Sequence, residues 1–218
     1  MIKSILSIAF ILLTYVNFYA IFLLFSNTQF SQWSLWFLAG ATSAFVCCHF
    51  RWRFTPIYII AHELAHWLAA KLCFRKTGKF RVGLKGGYVE IENANTFIFL
   101  APYFFPTLSV LWIPIWLTIN YFYPSEYNTI VFFMLLGSSY AHHIYMTVLL
   151  TLTTKQTDFD KPGHFHSACI IFFTNTAVIF TLLNLFSKDL SNFKFWIQAL
   201  QTNYELIQKL IQFAQQNI

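Results

Sequence analysis

The sequence predicts an all-α polytopic membrane protein with about six transmembrane helices, a short membrane-associated β-hairpin and a C-terminal amphipathic helix. Three observations predict it. Of 218 residues, 57% are hydrophobic and only 10% are charged, where a soluble domain carries about 25% charged residues. Six apolar stretches approach or exceed the ~20 residues that cross ~30 Å of hydrocarbon as a helix. No polar linker, internal repeat or soluble module interrupts them, so residues 1–218 read as one membrane-embedded domain with its core at 55–170.

The first stretch, 4–25, lacks a clear small-residue cleavage site after its apolar core and is expected to be a retained span. The second is 32–50, and the third, 55–74, holds "YIIAHELAHWLAAKLCF". Then "KFRVGLKGGYVEIE", 79–92, alternates: Phe80, Val82 and Leu84 share one side of a strand, Lys85-Gly86-Gly87 supplies a turn, and Val89 and Ile91 alternate with Glu90 and Glu92. That pattern predicts a β-hairpin. The fourth span, 96–122, carries Pro102, Pro106 and Pro114. Each proline removes a backbone donor and bends a helix. Irregular backbone at membrane depth survives only beside protein or a wet cavity, so this span is expected to line something. Spans at 128–153 and 167–187 follow. In 190–217, Phe193, Trp196, Ile197, Leu200 and Tyr204 recur at helical spacing, the pattern of an amphipathic helix lying on the membrane or packed on the bundle.

The net charge of +6 comes from few basic residues, mostly in short loops, as topology signals are. No basic face interleaved with aromatics is present, which excludes nucleic acid as a partner. Alternation of the spans puts Lys71, Arg75, Lys76, Lys79, Arg81, Lys85, Lys155 and Lys161 on one side, and Lys3, Arg51, Arg53, Lys188, Lys194 and Lys209 on the other. The first, more clustered group is assigned to the cytoplasm, with the N-terminus outside. The expected location is a bacterial inner membrane, with the site towards the cytoplasmic side. Cys47, Cys48, Cys73 and Cys169 form no CxxC pair and are expected to pack.

Glu63 is the one acid well inside an expected span, and a charge at bilayer depth marks function or a paired site. His62 and His66 are four residues apart and project from one helix face, the spacing for two imidazoles on one zinc ion. Glu63, rotated ~100° from His62, can reach a metal-bound water without competing for the metal. Zinc lowers the pKa of that water to about 7, and a carboxylate takes the proton as hydroxide attacks a carbonyl. A catalytic zinc needs a third protein ligand and an open position. Asp158 and Asp160 in "KQTDFDKPGHF" are candidates, as are His142, His143, His164 and His166, whereas His49 lies at the opposite span end.

HELAH on a membrane helix, a Gly-rich hairpin, "LAPYFFP" and then "QTDF" after a further span together resemble the site-2 protease type of intramembrane zinc metalloprotease. The resemblance covers roughly residues 55–170. It implies one zinc ion per chain held by His62, His66 and Asp158, with Glu63 as general base. It also implies a transmembrane or membrane-associated protein substrate. The chain departs from that family's Asn/Pro/Asp-Gly segment around the aspartate and looks like a small, divergent branch without a PDZ module. His143 is therefore the auxiliary residue, as substitute ligand, partner of Asp158 or oxyanion donor, with a packed or hydrogen-bonded role as its other reading. An exposed hairpin edge can pair with an unwound substrate segment, which makes Gly86, Gly87 and Tyr88 substrate-binding candidates. Asn95 joins them, with capping of the next helix as its other reading.

Two other classes compete. A membrane di-iron desaturase or hydroxylase also uses histidine boxes, but this chain has seven histidines and no HxxHH. A non-catalytic zinc-binding scaffold would have no need of Glu63.

Overall fold

The computed structural model describes residues 2–27, 29–51, 53–84, 86–186 and 194–216. In chain order its elements are α1 (Ile2–Asn27), α2 (Trp33–His49), α3 (Thr55–Leu72), β1 (Thr77–Val82), β2 (Gly87–Ile91), α4 (Thr96–Phe104), α5 (Thr107–Phe122), α6 (Glu126–Thr153), a 3₁₀ turn at Thr157–Phe159, α7 (His164–Phe186) and α8 (Lys194–Gln216). Each of the six apolar stretches is helical. Among the described residues, α1 and α7 are long and apolar enough to cross a membrane, and α4 with α5 makes a third if that bent pair is one span. The shortfall from six has local causes: α2 has only 17 residues, α3 interrupts its apolar sequence with His62, Glu63, His66 and Lys71, and α6 carries Ser138, Ser139, His142 and His143 near its middle.

The chain forms two compact units, residues 1–31 with 168–218, and residues 32–167. In the first, Val16, Ala20 and Leu24 of α1 make a core with Phe180 of α7 and with Phe195 and Ala199 of α8. Asn17 is buried among them. Its Nδ2 donates to Thr176 Oγ1 at 3.0 Å, and its Oδ1 accepts from Trp196 Nε1 at 2.9 Å. The amphipathic segment thus packs on α1 through its first turns. Residues 187–193, with Lys188 and the expected start of that helix, and residues 217–218 lie outside the described residues.

In the second unit, α2 and α6 pack against one another through small residues. A Cβ on Gly40 would collide with the Met134 carbonyl, and one on Gly137 with the Phe37 carbonyl. Ser138 Oγ also donates to Gly40 O at 2.9 Å. A glycine at each crossing lets the two helix backbones approach this closely.

The helix α3 ends in a Schellman arrangement: Arg75 N–H donates to Ala70 O at 2.8 Å and Phe74 N–H to Lys71 O at 3.0 Å. The left-handed position falls on Phe74, at φ 54°, rather than on a glycine, and Phe74 is 96% exposed. Phe54, before the helix, is also left-handed, at φ 45°. The chain then turns into the two-stranded antiparallel sheet. Phe80 faces Val89, Arg81 faces Tyr88 and Val82 faces Gly87, with an irregularity between Thr77 and Phe80. The expected hairpin is present, but Gly87 begins β2 instead of forming the turn, and Lys85 lies outside the described residues. Of the three prolines, Pro106 stands at the break, where α4 and α5 meet at 69°, while Pro102 and Pro114 lie inside those two helices.

Candidate metal centre

Three elements converge on one point. Helix α3 presents His62 and His66 one turn apart, their ring centroids 5.0 Å from each other. The 3₁₀ turn after α6 carries Asp158 to them. Asp158 Oδ2 lies 3.5 Å from His62 Nε2 and 3.4 Å from His66 Nε2. Among the described residues, His62, His66 and Asp158 form a group whose ligand atoms all lie within 4.8 Å of one another, and they could hold one metal ion. Burial works against charge on Asp158, but the imidazoles of His62 and His66 beside it, which hydrogen-bond to it when protonated at Nε2, hold the carboxyl well below the usual carboxylate range.

Two of the three ligands, His66 and Asp158, are aimed by a partner. His66 Nδ1 donates to the carbonyl of Ile98 at 2.8 Å, which leaves Nε2 bare. That carbonyl is available for a covalent reason. In an α-helix it would accept from the N–H four residues on, but residue 102 is proline and has none. The N–H of Ile98 is engaged as well, by Asn95 Oδ1 at 2.9 Å. Asp158 Oδ2 accepts from the Tyr103 hydroxyl at 2.8 Å, and the same hydroxyl lies 2.9 Å from Gln156 Oε1. The phenol has one proton, so it donates to one of the two at a time. Tyr103 is fully buried, and its ring stacks at a tilt on Phe159, 4.8 Å between centroids.

Glu63 is buried beside the histidines and packs against the hairpin. A Cβ on Gly87 would stand 2.8 Å from Glu63 Cγ and 2.9 Å from the Arg81 carbonyl across the sheet. Only a glycine lets β2 pass this close. The group opens into a cavity of about 720 Å³, walled by α3, by β2 from Gly87 to Ile91 and by the start of α4. Gly86 and Tyr88 line it with Gly87. Asn95 does not; it caps α4 and reaches Cys73 Sγ at 3.6 Å, and Asn93 stands in the cavity wall instead. Asp160 pairs with His164 at 3.8 Å on the surface, the two side chains being 49% and 67% exposed. His143 is buried on α6 and lines a smaller cavity with His62. The neighbouring His142 is engaged, its Nε2 lying 2.8 Å from Arg53 O.

Tyr103, Gln156 and the Ile98 carbonyl are the parts of the centre that sequence reasoning missed. "LAPYFFP" marked Tyr103 as sitting in a bent segment, but nothing in the pattern separates a buried phenol that holds a carboxylate from an aromatic that packs. No family model, no curated protein and no solved structure matches the chain.

Proposed function

We propose that the protein is an intramembrane zinc metalloprotease of the site-2 protease type, hydrolysing peptide bonds of membrane-spanning or membrane-associated proteins. One observation carries the reading: the His62, His66 and Asp158 ligand atoms converge beside a buried Glu63. Two ligands at ~2.1 Å from a tetrahedral zinc ion stand ~3.4 Å apart, and the two imidazole–carboxylate separations are 3.5 and 3.4 Å. The donor set, two bare imidazole nitrogens and one carboxylate, suits zinc and leaves a position for a substrate atom.

Zinc in such a site supplies Lewis acidity, polarising a carbonyl and lowering the pKa of water to about 7. The remaining chemistry belongs to the chain. Glu63 takes the proton released as water oxygen attacks the scissile carbonyl carbon, and passes it to the amide nitrogen as the C–N bond breaks. Tyr103 keeps Asp158 pointed at the histidines. The edge of β2 that faces the cavity offers backbone groups to an unwound substrate segment, holding it extended beside Glu63.

The membrane reading extends beyond the helices that qualify by length and composition. Six spans give α2, α3 and α6 a bilayer environment, supported by their lipid-type exposed residues: Leu35, Leu38 and Phe45 on α2, Ile57 and Ile60 on α3, and Val131, Val148 and Leu152 on α6. On this reading the protein is a multi-pass protein of a bacterial inner membrane, and the clustering of basic residues supports a cytoplasmic hairpin side.

The deciding experiment is metal analysis of detergent-purified protein together with cleavage of a membrane-anchored reporter. One zinc per chain with cleavage supports the protease. Two irons would mean a desaturase-type enzyme, and no metal a scaffold.

A further inference from the structure

The two histidines of the metal centre are held differently. His66 Nδ1 has the Ile98 carbonyl, but His62 Nδ1 is buried and no described protein atom bonds to it. When Nε2 of a neutral imidazole is bare to bind a metal, Nδ1 carries the proton and needs an acceptor. A buried donor left without one costs free energy, most of all in a low-dielectric interior.

His62 borders a second cavity, behind the metal centre, with Tyr58, Pro102, His142 and His143. Its space for water-sized spheres is about 10 Å³, enough for about one water molecule. The walls are polar in a particular way. His143 Nε2, like His62 Nδ1, is buried with no hydrogen-bond partner among the described residues, and the buried hydroxyls of Tyr58 and Thr147 lie beside one another. His142 is already committed to the Arg53 carbonyl. A site of one-water size bordered by residues with such atoms is where proteins keep structural water.

We propose that His143 is a positioning residue for His62, acting through one buried water. The water accepts the Nδ1 proton of His62 and donates to Nε2 of His143, with Tyr58 or Thr147 taking its second proton. His62 is thereby fixed in the tautomer and ring orientation that point Nε2 at Asp158, as the Ile98 carbonyl fixes His66. His143 touches neither metal nor substrate. The inference rests on the one-metal reading of His62, His66 and Asp158.

Zinc affinity of the detergent-purified full chain, read by competition with a chelator, tests it. His143→Phe fills the same space without an acceptor and should weaken zinc binding roughly 10- to 100-fold. His143→Gln restores a side-chain acceptor and should bring the affinity back to near that of the unsubstituted chain. Affinity unchanged in His143→Phe overturns the proposal, and so does a Gln variant as weak as the Phe variant, which is what a packing role alone gives. Failure of the unsubstituted chain to bind zinc would instead overturn the one-metal reading. A second measurement covers a Phe variant that does not fold. In the zinc-loaded unsubstituted chain, labelled with ¹⁵N-histidine, the Nδ1 proton of His62 should cross-relax with a long-lived water. No such cross-peak overturns the proposal by itself.

Discussion

His66 bonds to Ile98 because Pro102 does not. The carbonyl at position 98 stands 2.8 Å from the imidazole Nδ1, and the residue that would claim it in a regular helix has no N–H. Pro102→Ala restores that donor. The carbonyl then faces two claimants, and the helix is the nearer. Zinc affinity should fall by up to about tenfold, measured by chelator competition, while the helical signal in circular dichroism holds or rises. An unchanged affinity would mean that the carbonyl serves both donors.

Removal of the proton acceptor and removal of a ligand should have separable effects. Glu63→Gln keeps both imidazoles and Asp158, so zinc content should stay at one per chain while cleavage of a membrane-anchored reporter falls below detection. Asp158→Ala should lose most zinc and all cleavage. Asp160→Ala and His164→Ala break an exposed pair, worth about 0–1 kcal/mol, the second also removing an edge contact with Phe159, and should keep metal and activity. Proteolysis retained by the Gln variant would sink the proposed mechanism.

Two adjacent glycines should behave oppositely. At Gly87 a methyl group meets Glu63 and the backbone of Arg81, whereas at Gly86 nothing lies within 4 Å. Gly87→Ala must push β2 off α3 and displace Glu63. Its kcat should fall by an order of magnitude or more, since a ~1 Å misplacement costs ~100-fold, with zinc content intact. Gly86→Ala should leave Glu63 in place and keep the fold and zinc content of the unsubstituted chain.

The α2–α6 contact should be the most sensitive packing site outside the centre. Gly137→Ala drives a methyl into the Phe37 carbonyl and toward Ala41 N, 3.1 Å away. Overpacking of this kind costs about 1–3 kcal/mol, to be read as a lowered denaturation midpoint in mild detergent. The same substitution should leave zinc affinity per folded molecule unchanged.

The helices were legible because apolar length and proline position are one-dimensional properties. The two imidazoles were legible because a spacing of four is a helix turn, and the 3₁₀ turn carries Asp158, rather than Asp160, to them. The rest of the centre is written in places that side-chain patterns do not reach. A free carbonyl at Ile98 is the consequence of a proline four residues later, and Tyr103 meets Asp158 only after the chain has bent at Pro106 and returned through α6. Asn95 reads equally as a cap or a binder until Ile98 N–H is seen to take it. The close pass of β2 over Glu63 depends on Gly87 having no Cβ, and the turn pattern gave that glycine a different role.

Asn17 has its amide divided between two helices, Nδ2 to Thr176 on α7 and Oδ1 to Trp196 on α8. This works as a keyed joint. Turning α8 by a single residue swings its side chains by ~100° and takes the indole off the amide, so the rotational phase of the helix is set by one hydrogen bond as well as by shape. It also imposes an order on biosynthesis. On the ribosome α1 emerges before α8, and Oδ1 of Asn17 cannot meet its indole partner until Trp196, 179 residues later, has been made. The later helix is therefore the latch that closes the unit begun by the earlier one.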